Sequence, residues 1–324
     1  MPTQGDESCA HADDIGGVVQ KRCGSIPEDQ PSSMILIVGG TGRIGRRVAS
    51  ALACQTTVRA LARSAAAADT LRELGVDDVV RGDLDDPRSL PRAFAGARRA
   101  FLVTPYSSRQ RAQELAAISA AQGASLERLV LISSEAVQLA GIPPQTSIDV
   151  ARSHAAVERG LEQSGIEGVI LRPTFISHLL LAQAAAIRRG EFALPLGSSE
   201  LALVDPTDVA EVAVAALTRC DAAPMLHLTG PEAMRLDEVA TRISNVLGRK
   251  VRYRAAEPAA WRAQALTAGL NSEIVDGLAD AFALYADQQS ARVSADVSTV
   301  LGRPARRLEA YVETELRAAV DAGY

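Results

Sequence analysis

The sequence reads Met34-Ile-Leu-Ile-Val-Gly-Gly-Thr-Gly-Arg-Ile-Gly45 where an apolar, β-branched run meets glycines at positions 39, 42 and 45. The run from Met34 to Val38 has the length and the Ile and Val content of a strand that is buried on both faces. From Arg46 onward the composition is that of a helix. A glycine-rich turn between a buried strand and a helix is the arrangement that holds the pyrophosphate of a dinucleotide. This stretch therefore predicts a dinucleotide-binding site.

The three glycines have different roles in such a turn. Gly39 permits the tight turn, Gly42 lets the backbone approach a phosphate, and Gly45 lets the helix pack closely on the strand. Their spacing is Gly-x-x-Gly-x-x-Gly and not the commoner Gly-x-Gly-x-x-Gly. The alternative is a plain strand-to-helix turn that needs glycine only for its backbone angles. The strand before the turn and the helix after it favour the dinucleotide site.

An arginine follows the second predicted strand, which runs from Thr56 to Leu61. Arg63 lies 18 residues after Gly45 (63 − 45), where an acidic residue would bind a ribose 2′-hydroxyl and an arginine suits a 2′-phosphate. No acidic residue competes there, and Arg59 and Ser64 are close in sequence. We therefore expect NADP(H) in preference to NAD(H). The alternative is a solvated arginine at an exposed strand end.

Strands and helices alternate after this point. This rhythm predicts a parallel sheet with right-handed crossovers, a doubly wound α/β Rossmann fold. Apolar runs predict strands at 76–80, 100–103, 128–132 and 169–171, and helical patterns cover 107–122 and 148–163.

The pattern changes after Phe175, and the rest of the chain reads mostly as helix. We divide the chain into an N-terminal extension (1–33), a dinucleotide-binding domain (34–175) and a smaller, mostly helical cap (176–324) with segments that complete the sheet. The cap is expected to close over the nicotinamide end of the cofactor and to shape a substrate pocket. Its predicted elements are helices over 177–189, from 206 and over 236–247, strands over 201–204 and 225–228, and a loop around Pro195 and Gly197.

Composition excludes several classes of protein. The 324 residues are 47% hydrophobic, which suffices for a real core, and no apolar run is long enough to span a bilayer. The net charge of −5 and the absence of a basic cluster argue against nucleic-acid binding. The cysteines form no Cys-x-x-Cys pair, so neither a metal site nor a disulfide framework is implied and a reducing cytoplasm is expected. They are Cys9, Cys23, Cys54 and Cys220.

Residues 1–33 are polar and poor in apolar side chains, so we expect this extension to be disordered. No hydrophobic segment of a signal peptide follows Lys21-Arg22. Because Met34 begins the first predicted strand, one hypothesis is that translation naturally starts there. An intact mass of the native protein that begins at Met1 or Pro2 would contradict this hypothesis.

Six different short motifs are distributed along the chain from the glycine-rich turn onward. With them the chain resembles the NmrA-like branch of the atypical short-chain dehydrogenase/reductase superfamily, over about residues 34–307. The motifs are Gly-Gly-Thr-Gly-Arg-Ile-Gly45, Val58-Arg-Ala-Leu-Ala-Arg63, Gly82-Asp-Leu84, Ser164-Gly-Ile with Leu171-Arg-Pro-Thr-Phe175, Val204-Asp-Pro-Thr-Asp-Val-Ala210 and Leu228-Thr-Gly-Pro-Glu232.

The resemblance implies that the glycines, the arginine after the second strand and the Gly-Asp pair bind NAD(P)(H). Asp83 also lies at the carboxyl end of a predicted strand, where the adenine would sit. Its alternative is a cap for the helix begun by Pro87, a role that Asp85 or Asp86 fills better. The expected cofactor contacts are Gly39, Thr41, Gly42, Arg43, Ile44, Gly45, Arg63, Asp83, Leu84 and Thr104.

The catalytic Tyr-x-x-x-Lys pair of the wider superfamily is absent from this chain. Val150 occupies the tyrosine position and His154 the lysine position, while Ser133 or Ser134 remains a candidate for the serine. His154 could hold the ribose or donate a proton, because imidazole titrates near neutral pH. The alternative is an i,i+4 pair with Glu158 on a solvated helix face.

Three other side chains are weighed for the site. Tyr106, just past the fourth strand, is a phenol placed near the nicotinamide. His178 is expected to point toward the mouth of the pocket, with a histidine at a helix start as an equal alternative. His227 lies in a predicted strand and reads most simply as structural.

Two classes of function are compatible with these residues, and a third is possible. The first is an NADPH-dependent reductase of a small apolar conjugated metabolite such as a quinone, enone or imine, because few charges mark 175–186 and 194–203. The second is a non-catalytic NADP-sensing regulator, which the missing Tyr and Lys favour. The third is a cofactor-retaining cyclase or isomerase. We expect a small-molecule substrate, no nucleic acid or membrane partner, and a monomer or small homo-oligomer.

Overall fold

The computed structural model describes residues 34–139, 149–287 and 291–322. The expected disorder of 1–33 and the predicted start of a helix at Ile148 lie outside the described residues. The strands are β1 (Ile35–Val38), β2 (Val58–Ala62), β3 (Asp78–Arg81), β4 (Arg99–Leu102), β5 (Arg128–Ile132), β6 (Glu167–Pro173), β7 (Glu191–Leu194), β8 (Glu200–Leu201), β9 (Met225–Leu228), β10 (Met234–Arg235) and β11 (Arg252–Ala255).

The helices flank these strands in chain order. Two short 3-10 helices, Pro87–Ser89 and Ser177–Gln183, and a π-helical turn, Val312–Leu316, supplement them. The α-helices are α1 (Arg43–Ala53), α2 (Ala65–Glu73), α3 (Leu90–Phe94), α4 (Gln110–Gly123), α5 (Ala136–Leu139), α6 (Asp149–Glu162), α7 (Ala184–Arg188), α8 (Pro206–Thr218), α9 (Leu236–Leu247), α10 (Pro258–Thr267), α11 (Ser272–Asp287), α12 (Asp296–Leu301), α13 (Leu308–Tyr311) and α14 (Arg317–Ala322).

Seven strands form one parallel sheet in the order β3-β2-β1-β4-β5-β6-β9. The order reverses between β1 and β4, so the loops after these two strands diverge to opposite faces of the sheet. A crevice opens at such a switch point, at the carboxyl ends of the strands. This topology confirms the predicted doubly wound α/β fold and places the glycine-rich turn at the crevice.

β1 is buried on both faces, as predicted. Ile35 and Ile37 join one apolar layer with residues of α1 and α8, whereas Leu36 and Val38 join the opposite layer with residues of α3, α4 and α6. Because side chains alternate across a strand, a shift of one residue would exchange the two layers. Both faces of β1 are apolar, so the hydrophobic pattern alone does not fix its register. The pairing with neighbouring strands and the glycine turn fix it.

A second apolar core fills the C-terminal part of the chain. It unites α7, α9, α10, α11 and the helix that runs from α13 to α14 with two small sheets, in which β7 pairs with β11 and β8 with β10. Sequence reasoning missed β7 and β11, because each has four residues and their pairing partner lies about sixty residues away. The predicted helix over 177–189 is a 3-10 segment followed by the short α7.

Parts of this C-terminal region return to the main sheet. α8 packs on α1, β9 extends the sheet beyond β6, and α12 covers both α8 and β9. Residues 206–228 and α12 therefore belong to the layers of the Rossmann sheet, and the second core is built from the C-terminal segments that remain. Within the described part of the chain, none of the helices combines the length and apolarity required to cross a bilayer.

Candidate active site

The glycine-rich turn has no room for side chains at two of its three motif glycines. Gly39 has φ +88°, and a Cβ there would lie 2.0 Å from the carbonyl oxygen of Val103 at the end of β4. A Cβ on Gly45 would lie 2.1 Å from the carbonyl oxygen of Gly39. These distances are far below van der Waals contact, so both positions require glycine. The turn is thereby drawn against β4 at the switch point.

The start of α1 is open to a ligand. Gly42 is the N-cap and provides no side-chain acceptor, and α1 has no acidic residue in its first turn. The amide of Gly42 donates to the Gly39 carbonyl oxygen at 3.0 Å, and the next amide that bonds back is that of Arg46, to the Gly42 carbonyl oxygen at 2.8 Å. The amides of Arg43, Ile44 and Gly45 therefore need another acceptor, and the helix dipole favours an anion there. This geometry fits the pyrophosphate of a dinucleotide.

Arg63 lies directly after β2 and is exposed, beside the same edge of the sheet. In the described part of the chain its guanidinium has no hydrogen bond or ion pair. Arg81, at the end of β3, approaches the Arg63 carbonyl oxygen at 3.4 Å, so a second guanidinium lies nearby that sequence reasoning missed. Arg59 instead bonds Asp78 at 2.7 Å and the carbonyl of Ala95 at 2.6 Å. It is a structural residue.

We expect Arg63→Ala to weaken NADPH binding by about 1.5–3 kcal/mol, because a charge-assisted phosphate contact is lost. NADH binding should change little, since NADH lacks the 2′-phosphate. Titration of both nucleotides against the variant measures this difference, and Arg72→Ala on the exposed face of α2 is the matched control. Equal losses for the two nucleotides would disprove the assignment.

Asp83 begins the loop after β3 and is exposed. Its Oδ1 accepts the amide of Asp85 at 3.0 Å, and its own amide donates to Ser89 Oγ at 2.9 Å. Asp86 caps the short helix at Pro87, as the sequence suggested. The Asp83 carboxylate is thus held in the loop through Oδ1, which leaves Oδ2 to contact a ligand. The half-buried Leu84 beside it packs on the apolar core.

Thr104 follows β4 and lies close to the glycine turn, because Val103 donates its amide to Val38 at 3.2 Å. The Thr104 hydroxyl donates to Glu114 Oε1 at 2.6 Å. Glu114 is fully buried on α4, and burial raises the pKa of its carboxyl to about 7. Sequence reasoning missed Glu114. The available signal was a Gln and a Glu one turn apart, Gln110 and Glu114, on the otherwise apolar stripe of α4.

His154 lies on α6, half-buried, with its Nε2 3.5 Å from the Gln110 amide nitrogen. Burial lowers the pKa of His154 to about 4, and the Glu158 charge only partly offsets this shift. The imidazole is therefore neutral at pH 7, and the premise that it titrates near neutrality is wrong. A neutral imidazole can still donate one hydrogen bond and accept another.

Glu158 lies on a buried face of α6, not on a solvated one as the alternative required. Arg172 of β6 binds both its carboxylate oxygens, at 2.9 and 2.5 Å, and the side chains are 12% and 5% exposed. The Ser133 hydroxyl donates to the same carboxylate at 2.5 Å. Ser133 is thus bound into a buried ion pair behind the end of β5. Ser134 instead accepts the amide of Ala136 at 3.1 Å.

Tyr106 contacts the opposite end of α6. Its hydroxyl lies 3.3 Å from Asp149 Oδ2, and its ring packs so closely on Gly277 of α11 that a Cβ there would lie 2.1 Å from Tyr106 Cε1. Burial, followed by the charge of Asp149, raises the pKa of Tyr106 to about 12. Asp149 and Glu158 are nine residues apart, about 13 Å along a helix. The Tyr106 and Ser133 hydroxyls therefore bind well-separated points of α6.

Two further histidines in the described part of the chain, His178 and His227, have distinct surroundings. His178 lies beside Arg43 and Arg47 of α1, and burial together with these two charges lowers the pKa of His178 to about 4. The Nδ1 atom of His227 lies 2.7 Å from Glu135 Oε2. The backbone amide of His227 donates to Asp296 Oδ2 at 2.7 Å. Glu135, which follows Ser134, was not singled out from the sequence.

An aromatic cluster stands next to the end of β6. Phe175 is half-buried, and its ring centroid lies 4.3 Å from that of Tyr285 and 5.4 Å from that of Phe282. Trp261 contacts Phe282 edge-on at 4.9 Å. Trp261 comes from α10 and Phe282 and Tyr285 come from α11, whereas Phe175 follows β6. They bring an aromatic wall to the carboxyl edge of the sheet.

Comparison with known proteins agrees with this geometry. The NAD(P)H azoreductase of Xenophilus azovorans is 35% identical over 289 residues, which cover 88% of this chain and 99% of that protein. The (4-alkanoyl-5-oxo-2,5-dihydrofuran-3-yl)methyl phosphate reductase of Streptomyces griseus subsp. griseus is 36% identical over 280 residues, 84% of this chain and 94% of that protein.

A solved structure and a family model extend the comparison. An NADPH-dependent quinone oxidoreductase from Escherichia coli, in complex with NADPH, aligns with a TM-score of 0.75 at 25% identity, over 86% of this chain and 98% of that chain. The model of the NmrA-like family matches residues 31–315. The chain therefore belongs to the NmrA-like family of atypical, NAD(P)-binding short-chain dehydrogenases/reductases.

Proposed function

We propose that this protein is an NADPH-dependent reductase of a small, apolar, conjugated acceptor of the quinone, enone, imine or azo type. The coarser expectation, an oxidoreductase that uses NADP(H), is confirmed: both curated relatives are named as reductases, and the quinone oxidoreductase binds NADPH. The acceptor class and the roles of individual residues are our proposals.

The glycine turn and the start of α1 would hold the pyrophosphate. Arg63, with Arg81 close by, would receive the 2′-phosphate, and the loop at Asp83 and Leu84 would flank the adenine. Thr104 would face the nicotinamide half, since it follows β4 at the switch point. When bound, NADPH supplies the hydride, so the protein's task is to orient the acceptor and manage one proton.

The observation that carries the acceptor class is the aromatic wall formed by Phe175, Tyr285 and their neighbours. Trp261, Phe282 and Tyr285 are buried, so the half-buried Phe175 would provide the ring on which a flat conjugated molecule stacks, with the other three rings packed around it. A sugar phosphate would need charged partners that this wall lacks. Burial raises the pKa of Tyr285 above its ordinary value, so its phenol remains protonated.

Reduction of a conjugated acceptor does not require a strong acid as the proton donor. His154 is neutral and would hold the ribose or donate a hydrogen bond, while the Ser133 hydroxyl is committed to Glu158. Tyr106 is a weak acid because the pKa of its phenol is about 12. We therefore assign His154 and Tyr106 to orientation and hydrogen bonding and Ser133 to the buried ion pair, with solvent as the final proton source.

We expect His154→Gln to lower kcat by at least about tenfold while the melting temperature stays close to that of the native protein, since the loss of a general acid–base or orienting group typically costs more than this. Steady-state kinetics and thermal unfolding of the same preparation measure both. His178→Gln is a control, because His178 lies at the phosphate end of the cleft and should affect KM for NADPH more than kcat. An unchanged kcat for His154→Gln would remove it from the site.

The decisive experiment follows absorbance at the nicotinamide band while the protein and NADPH are challenged with quinones, enones, imines and azo dyes. Oxidation that depends on the acceptor supports the proposal and identifies the class. Tight NADPH binding with no oxidation across the panel would contradict it and favour an NADP-sensing regulator.

A further inference from the structure

Cationic side chains are concentrated at one end of the cap. Three segments, 188–191, 249–254 and α14, contain seven arginines and lysines and two acids, Glu191 and Asp321. Their net charge is +5 (7 − 2), in a chain whose net charge is −5. We call the seven cations the basic patch: Arg188, Arg189, Arg249, Lys250, Arg252, Arg254 and Arg317.

The fold of the cap brings these three segments together. β7 and β11 pair in parallel with Arg252 opposite Glu191, and the Arg252 amide donates to the Gly190 carbonyl oxygen at 2.9 Å. α14 packs on α7, and the Arg317 guanidinium donates to the Val246 carbonyl oxygen near the end of α9. Sequence reasoning missed the patch, because its cations are close in space but come from distant parts of the chain.

Nearby acids neutralise little of this charge. Arg254 binds Glu191 at 3.0 Å, and Glu313 is a further exposed acid just before α14. Arg249 lies only within 4.0 Å of Asp321, and its Nε and Nη2 atoms have no hydrogen-bond partner. Four exposed cations form no ion pair or side-chain hydrogen bond within the described residues: Arg188, Arg189, Lys250 and Arg252.

The basic patch presents charge without an apolar contact surface. Tyr253, the aromatic residue within it, is half-buried, with its ring against Phe192 and its hydroxyl bonded to the Leu194 carbonyl oxygen. The exposed large apolar side chains of the described chain all lie outside the three segments: Leu270, Ile274 and Val293.

This chemistry favours one kind of partner. Protein interfaces depend on buried aromatic and apolar anchors, and single-stranded nucleic acids bind rings on which their bases stack. The basic patch offers neither. An anionic lipid surface requires neither, because its headgroups attract nearby lysines and arginines without a fitted contact.

We propose that the basic patch docks this protein on a membrane surface that is rich in anionic lipids. The choice of a lipid surface rests on the proposed function, because an apolar acceptor partitions into a bilayer and docking would bring the reductase to it. The contact is electrostatic and peripheral, and it requires no helix that crosses the bilayer. It departs from our expectation, drawn from the sequence, of no membrane partner.

The test is co-sedimentation of the full chain, saturated with NADP⁺, with vesicles of phosphatidylglycerol and phosphatidylcholine in equal amounts. The patch variant combines Arg188→Gln, Lys250→Gln and Arg252→Gln, whose side chains have no described partners, so the fold should be retained. Because each cation at an anionic surface raises the binding constant about fivefold, we expect this variant to bind about 100-fold more weakly than the native protein. Binding of the native protein should also weaken steeply between about 0.05 and 0.5 M salt.

The matched control combines Arg92→Gln, Arg111→Gln and Arg159→Gln, on α3, α4 and α6 of the main sheet. These side chains are also exposed and form no ion pair or side-chain hydrogen bond among the described residues. Both triple variants have a net charge of −8 (−5 − 3), so a difference between them reports the position of the charges. We expect the control to bind the vesicles within about threefold of the native protein.

Three results would overturn the proposal. The first is native protein that binds these vesicles no more tightly than vesicles of phosphatidylcholine alone. The second is a patch variant that loses less than about tenfold in affinity, or no more than the control loses. The third is patch-dependent binding to a duplex or single-stranded oligonucleotide without binding to the vesicles. None of these results depends on turnover, so a failure to reduce any acceptor would remove the reductase function and leave the vesicle measurement to decide the docking.

Discussion

Replacement of Gly45 by alanine is expected to weaken NADPH binding by at least about 100-fold, or about 2.7 kcal/mol. The added Cβ would lie 2.1 Å from the Gly39 carbonyl oxygen and 2.8 Å from its carbonyl carbon. Because both are backbone atoms, the turn must move away from α1 to accept the methyl group. That movement withdraws the amides of Arg43 and Ile44 from the position in which they would meet the pyrophosphate.

The matched control for this variant is Gly123→Ala. Gly123 ends α4, and a Cβ there meets nothing within 4 Å, so the expected effect is neutral or a gain of up to about 1 kcal/mol in the free energy of unfolding. Equilibrium titration with NADPH and chemical unfolding separate the two variants. Native-like NADPH affinity in Gly45→Ala would show that the turn does not hold the pyrophosphate.

The buried ion pair between Glu158 and Arg172 carries the second large effect. We expect Glu158→Gln to lower the free energy of unfolding by about 3–5 kcal/mol, because it leaves the Arg172 guanidinium buried without its counter-charge. It also weakens the acceptor of the Ser133 hydroxyl. Unfolding in urea, with the protein free of NADPH, measures the loss.

Two further variants test the reason for that loss. The double variant Glu158→Gln with Arg172→Gln should recover much of the stability, because removing both charges leaves no unpaired ion. Glu127→Gln breaks the exposed pair with Arg98, whose side chains are 48% and 39% exposed, and should cost less than about 1 kcal/mol. If Glu158→Gln costs no more than Glu127→Gln, the pair is not a buried element of the fold.

Local signals account for what the sequence could predict. β1, β5, β9 and α9 agree with their predicted bounds to within one residue, because each is an apolar or periodic run closed by clear breakers. The glycines were assigned from their spacing between a predicted strand and a predicted helix, and Arg63 from its distance after Gly45. The structure places both at the carboxyl edge of the sheet. Their contacts with the cofactor stay predictions.

Features that depend on distant packing escaped the sequence. The contact between Gln110 and His154 exists only because α4 and α6 pack against each other, and the pairing of β7 with β11 joins segments about sixty residues apart. The ordinary pKa of histidine suggested a neutral-pH titration for His154. Burial reverses this and gives the near-neutral titration to Glu114, which no motif marks.

The position of β9 has a consequence for how this chain can be cut. β6 is followed by the first part of the cap, and only after α8 does the chain return to pair β9 along β6. A fragment that ended at residue 175 would end with β6 as a bare edge and with the α1 face of the sheet uncovered by α8. Exposed apolar edges of this kind recruit other chains. The sheet that carries the glycine turn is therefore covered and completed by residues that follow position 175 in sequence.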